Sequence, residues 1–71
     1  MTEYRSQVEI RRRSMYIEND GLNPEELRSV IEQVERRMAQ IEEREKLMDT
    51  SKIATIAAVE IAIELHKLKK P

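Results

Sequence analysis

Apolar and polar residues alternate twice near the start of the chain. Val8 and Ile10 are interleaved with Gln7 and Glu9, and Met15 and Ile17 flank Tyr16. A period of two marks a half-buried strand, so residues 4–17 are expected to form a β-hairpin with Arg11, Arg12 and Arg13 at its tip. Asn19-Asp20-Gly21 contains the only glycine and predicts the turn that leaves the sheet. The period then changes. Leu27, Ile31, Val34, Met38 and Ile41 recur at alternating steps of four and three, the spacing of a narrow helical seam. In "LNPEEL", Asn23 can cap, Pro24 suits the first helical position, and Glu26 completes a capping box. These signals set a first helix over 24–46. "LMDTS" interrupts it, with Asp49, Thr50 and Ser51 each able to cap a second helix over 50–70. Lys67, Lys69 and Lys70 fall at the negative end of that helix dipole.

The second helix is the anomaly. Between Ile53 and Leu65 only Thr55, Glu60 and Glu64 are polar. At 100° per residue Glu60, Glu64 and Lys67 form one polar stripe, leaving most of the circumference apolar. A helix that is apolar nearly all round must be buried nearly all round. One helix with a thin seam and one hairpin cannot cover it, so a second copy is expected to do so across a two-fold axis. Ile53, Ile56, Ala57, Val59, Ile61 and Ile63 are the expected dimer interface, and the alanines at 54, 57, 58 and 62 allow close helix approach. The run is too short for a bilayer, which takes about 20 apolar residues, so no membrane association is expected.

Composition narrows the rest. Seventy-one residues make one domain, of a size that often relies on a partner for stability. The expected organisation is thus a single α+β domain, 1–71. There is no cysteine, which excludes disulfides and thiolate metal sites. Charged residues make up 38% of the chain yet nearly cancel, to a net charge of −1. Aromatic residues number only two tyrosines. Bulk electrostatic or stacking recognition of nucleic acid is therefore disfavoured. The N-terminal "MTEYRSQVEI" has no apolar leader or transit pattern, so a cytoplasmic protein is expected. No catalytic constellation is present. His66 is the only histidine and reads as a surface residue near a helix end, and the glutamates alternate with arginine and lysine as on a solvated face. A single glycine rules out a phosphate-cradling loop. No enzyme activity, cofactor, metal or small-molecule substrate is expected. Two charged clusters stand out as candidates for binding a partner: the arginines of the hairpin tip, and "EEREK", Glu42 to Lys46. Each reads equally as a solvated surface.

Three stretches, "VEIRRRSMYI", "LRSVIEQVERRMAQIEER" and above all "DTSKIATIAAVEIAIEL", resemble the ZapA family of bacterial cell-division proteins. The resemblance implies a hairpin and two helices forming a dimeric head. It also implies FtsZ, the tubulin-like division GTPase, as partner, and a location at the division site. In that family the second helix continues into a coiled coil that pairs dimers into tetramers. With the chain ending at Pro71, that extension is expected to be missing or very short. The family's hairpin arginine falls on Arg13 and its basic residue near the end of the first helix on Lys46. With Arg12, Glu42, Glu43 and Arg44 they make up the implied partner-binding surface. Arg12 stands where the family has a turn glycine, at a cost of about 1–2 kcal/mol if the left-handed conformation is kept. Glu60 replaces an asparagine of the family motif. The rival readings are a ribbon-helix-helix dimer reading DNA with its strands, and an oligomerisation module with another partner.

Overall fold

The computed structural model describes residues 4–46 and 48–69. Its fold is α+β, an antiparallel hairpin followed by two helices, in the order the hydrophobic pattern predicts. Strand β1 (Arg5–Ile10) pairs with β2 (Arg13–Glu18), and helices α1 (Pro24–Glu45) and α2 (Thr50–Lys69) follow. Leu47, in the expected break between helices, and Lys70, the expected end of the second, lie outside the described residues. The chain divides into two compact units, one reaching Glu35 and the other beginning at Arg36.

In the first unit, Val8 of β1 and Leu27 of α1 are buried. The hairpin closes through two residues, Arg11 and Arg12, with φ of 52° and 70°. Positive values at both central positions are what a type I′ turn requires, the turn whose twist matches a hairpin. Arg13, expected at the tip, is the first residue of β2. The exit turn repeats the device. Asp20 and Gly21 have φ of 54° and 82°, and Leu22 N–H donates to the Asn19 carbonyl at 3.0 Å.

Asn19 is the one buried polar residue among those described, and its bonds account for that. Its Oδ1 accepts from Gly21 N–H at 2.9 Å, its Nδ2 donates to Ser6 Oγ at 2.7 Å, and its N–H donates to the Tyr4 carbonyl at 2.6 Å. One side chain thereby ties the end of β2, the start of β1 and the exit turn together. Helix α1 then starts on the expected reciprocal box. Glu26 N–H donates to Asn23 Oδ1 at 2.7 Å, and Asn23 N–H to Glu26 Oε1 at 3.0 Å.

In the second unit the core consists of Met38 and Ile41 from α1 and Ile53 and Ala57 from α2, with Ile41 and Ile53 wholly inaccessible. Lys46 ends α1 at φ 57°, occupying the left-handed stop position that glycine usually takes. Of the three candidate caps for α2, Asp49 does the capping. Its Oδ1 accepts from Ser51 N–H at 2.9 Å and Lys52 N–H at 3.3 Å.

Candidate partner-binding surface

The hairpin tip is built so that its charges stay outside. Arg12 and Arg13 are exposed, while Arg11 turns its backbone N–H onto Glu35 Oε2 of α1 at 3.1 Å. Glu35 thus anchors a turn that its own residues disfavour. A non-glycine residue in the left-handed region costs about 1–2 kcal/mol, and two successive arginines bear that cost here. Sequence reasoning missed Glu35. The available signal was a carboxylate flanking the apolar seam between Ile31 and Met38.

The second cluster, at the end of α1, belongs to the other unit. Glu43 and Lys46 are widely exposed and lie 3.3 Å apart. Arg44 is committed within the chain, with Nη2 2.7 Å from Glu60 Oε2 and Nε 2.9 Å from Glu45 Oε2. Glu42 is half-buried.

Glu60 is the centre of an ion cluster between the helices. It also takes Arg37 Nη1 at 3.2 Å, and Arg37 forks onto Glu64 at 2.6 and 2.8 Å. A fork of this kind fixes orientation as well as charge. Donation from Arg44, then from Arg37, holds the Glu60 carboxyl below the usual carboxylate range. The polar stripe expected of Glu60 and Glu64 therefore faces α1, and its cationic partners, Arg37 and Arg44, were not anticipated.

The six residues expected at a dimer interface separate into classes. Ile53 and Ala57 are buried inside the chain, and Ile56 is half-buried. Val59, Ile61 and Ile63 are exposed at 53%, 41% and 50%, and Leu65 and Leu68 beyond them at 51% and 83%. Ile53 and Ala57 turn inward, whereas in the following turns Val59 and Ile63 are exposed on one flank of α2 and Ile61, Leu65 and Leu68 on the other, with the exposed Ala58 and Ala62 between them.

The first unit also contains a groove of about 560 Å³ between β1 and the start of α1. Val8, Leu22, Leu27 and Ile31 give it an apolar floor, and Ser6, Gln7 and Glu9 line its strand side. Among the described residues no group of acidic, histidine or cysteine side chains could hold a metal ion, and no helix is long and apolar enough to cross a membrane.

No curated protein and no solved structure matches the chain. A family model does: that of the cell division protein ZapA aligns with residues 7–71, from the first strand through both helices. By that match, spanning nearly all of its length, the chain belongs to the ZapA family of cell-division proteins.

Proposed function

We propose that this chain is a non-enzymatic adaptor of the cytoplasmic division machinery, with residues 1–71 serving as one head domain that binds FtsZ filaments and promotes their bundling. The observation that carries the reading is where the backbone is strained. Among the described residues four non-glycine positions take a left-handed φ, and three of them, Arg11, Arg12 and Lys46, are basic and lie in the hairpin-tip and helix-end clusters, where the resemblance implicates Arg12 and Lys46. Glycine would relieve the strain at each position and remove the charge, and strain retained in this way points to a role for the side chain.

On this reading Arg12 and Arg13 of the first unit, and Lys46 with Glu42, Glu43 and Arg44 of the second, each engage an acidic filament surface electrostatically. Arg44 supports the site through Glu60 rather than reaching outward. Two copies join through the outward side chains of α2, Val59, Ile61 and Ile63, with Leu65 and Leu68 extending the patch. A symmetric pair presents each binding surface twice, and filaments are crosslinked by avidity. A DNA-reading ribbon has less support, because the strands pair within the chain as a hairpin and α1 runs for 22 residues.

Co-sedimentation with polymerised FtsZ tests the proposal. The expected result is pelleting that weakens as salt rises and is lost in the Arg13→Glu/Lys46→Glu variant at unchanged helicity. Full pelleting by that folded variant would overturn the assigned surface.

A further inference from the structure

The groove beside β1 is bounded on one side by a strand edge with open backbone groups. The Tyr4 carbonyl accepts the Asn19 N–H, and Tyr4 and Asn19 continue the register in which Ser6 faces Ile17 and Val8 faces Met15. Hydrogen-bonded and non-bonded pairs alternate along an antiparallel ladder. Ser6, Val8 and Ile10 therefore point their N–H and C=O groups at β2, and Arg5, Gln7 and Glu9 point theirs away from it. Outside the β-ladder, no hydrogen bond among the described residues uses those outward backbone groups. An unpaired edge beside an apolar floor is the arrangement that accepts an added strand.

We infer that the strand it accepts is β1 of a second copy of this chain, laid antiparallel about a two-fold axis through Gln7. This deepens the reading of the chain as a self-associating adaptor and rests on it. Charge selects both the occupant and the register. Arg5, Gln7 and Glu9 lie on one face of β1. Centred on Gln7, the pairing sets Arg5 of each copy opposite Glu9 of the other, two opposite-charge pairs generated by one symmetry axis. Centring on Glu9 would oppose like charges, and centring on Ser6 would leave Arg5 facing glutamine. The free edge of β2 offers no such match, because a two-fold axis through Tyr16 opposes Ser14 and Glu18. In the Gln7 register the outward backbone groups of all three β1 residues are satisfied, and a four-stranded sheet forms in the order β2-β1-β1-β2. Ser6 and Val8 of each copy stand across from Val8 and Ser6 of the other, bringing apolar surface to the groove floor.

The chain is free of cysteine, so single-cysteine variants read the geometry directly. Residues facing each other in a hydrogen-bonded pair have Cα atoms about 5.5 Å apart, within disulfide range. Gln7→Cys is expected to give a disulfide-linked dimer under mild oxidation. Tyr16→Cys sits directly across the hairpin from Gln7, so its two copies would be three strand spacings apart, roughly 14 Å, and is expected to stay unlinked. Glu9→Arg should slow the Gln7→Cys crosslink several-fold, and mixing that variant with Gln7→Cys/Arg5→Glu should restore it. No crosslink through Gln7→Cys, or one no faster than through Tyr16→Cys, overturns the inference. Failure of the α2 reading would look different. Ile61→Glu would then leave the sedimenting mass unchanged while Gln7→Cys still crosslinked. If only the edge pairing is wrong, Ile61→Glu lowers the mass and Gln7→Cys does not crosslink.

Discussion

Arg12 concentrates the conflict between stability and charge. Its φ of 70° lies where glycine rests without steric cost, and Arg11 before it has a φ of 52°. Replacing Arg12 with glycine relieves about 1–2 kcal/mol of strain and returns about 0.5–1 kcal/mol through the greater freedom of the unfolded chain. The net gain expected is about 0–1.5 kcal/mol, each kcal/mol being worth about 4–8 °C in Tm for a domain of this size. If the tip contacts a filament, FtsZ pelleting by Arg12→Gly falls while Tm rises. Thermal melts and pelleting on the same preparation check the opposed signs. A variant that gains stability and keeps full binding would show that the side chain is merely tolerated at the turn.

Among the elements, what could be read from sequence was what local chemistry fixes. The alternation of Val8 and Ile10, the Asn-Asp-Gly exit turn, and the Asn23–Glu26 box all act within a few residues, and each appears in the structure. Interactions across long separations could not be read in the same way. Nothing local marks Glu35 as the acceptor for Arg11 N–H, 24 positions away, or couples Arg37 and Arg44 to Glu60. The outward and inward residues of α2 were likewise merged into one expected surface, because a helix with one narrow polar stripe gives only a small moment by which to orient it. The Glu60 cluster has a pH signature. A carboxyl held below its ordinary range contributes stability that is present above the unfolded value and lost as pH falls through the folded one. The wild type is therefore expected to lose this contribution only below about pH 4.3, the ordinary glutamate value. Glu60→Gln should melt lower than wild type at pH 7, with the gap closing toward pH 2.5. High salt should narrow it at every pH, because the cluster is partly solvated. Melting curves across pH for the two proteins are the measurement, and a gap that persists at low pH would assign the effect to packing.

For the molecule as a whole, the decisive feature is the contrast between a small closed core and an open aliphatic patch. Among the described residues of the second unit, Met38, Ile41, Ile53 and Ala57 are the buried apolar ones, while Val59, Ile61, Ile63, Leu65 and Leu68 are exposed on one helix. Burying a branched aliphatic side chain contributes about 1.5–3 kcal/mol, and natural monomers seldom leave so many on one helix in water. If two copies cover the patch, association and folding are linked, and the apparent stability must rise with concentration. Tm is expected to climb between micromolar and hundred-micromolar protein in the wild type. In Val59→Glu/Ile63→Glu it should be independent of concentration, since two carboxylates facing their symmetry mates cannot be desolvated together. Ile53→Ala separates core from interface. It removes a side chain already buried within one chain, at a cost of about 2–5 kcal/mol, and should lower Tm at every concentration without flattening its rise. A wild-type Tm that does not move with concentration would mean that the patch is not a subunit contact, and that bridging of filaments must come from some other pairing of the chain.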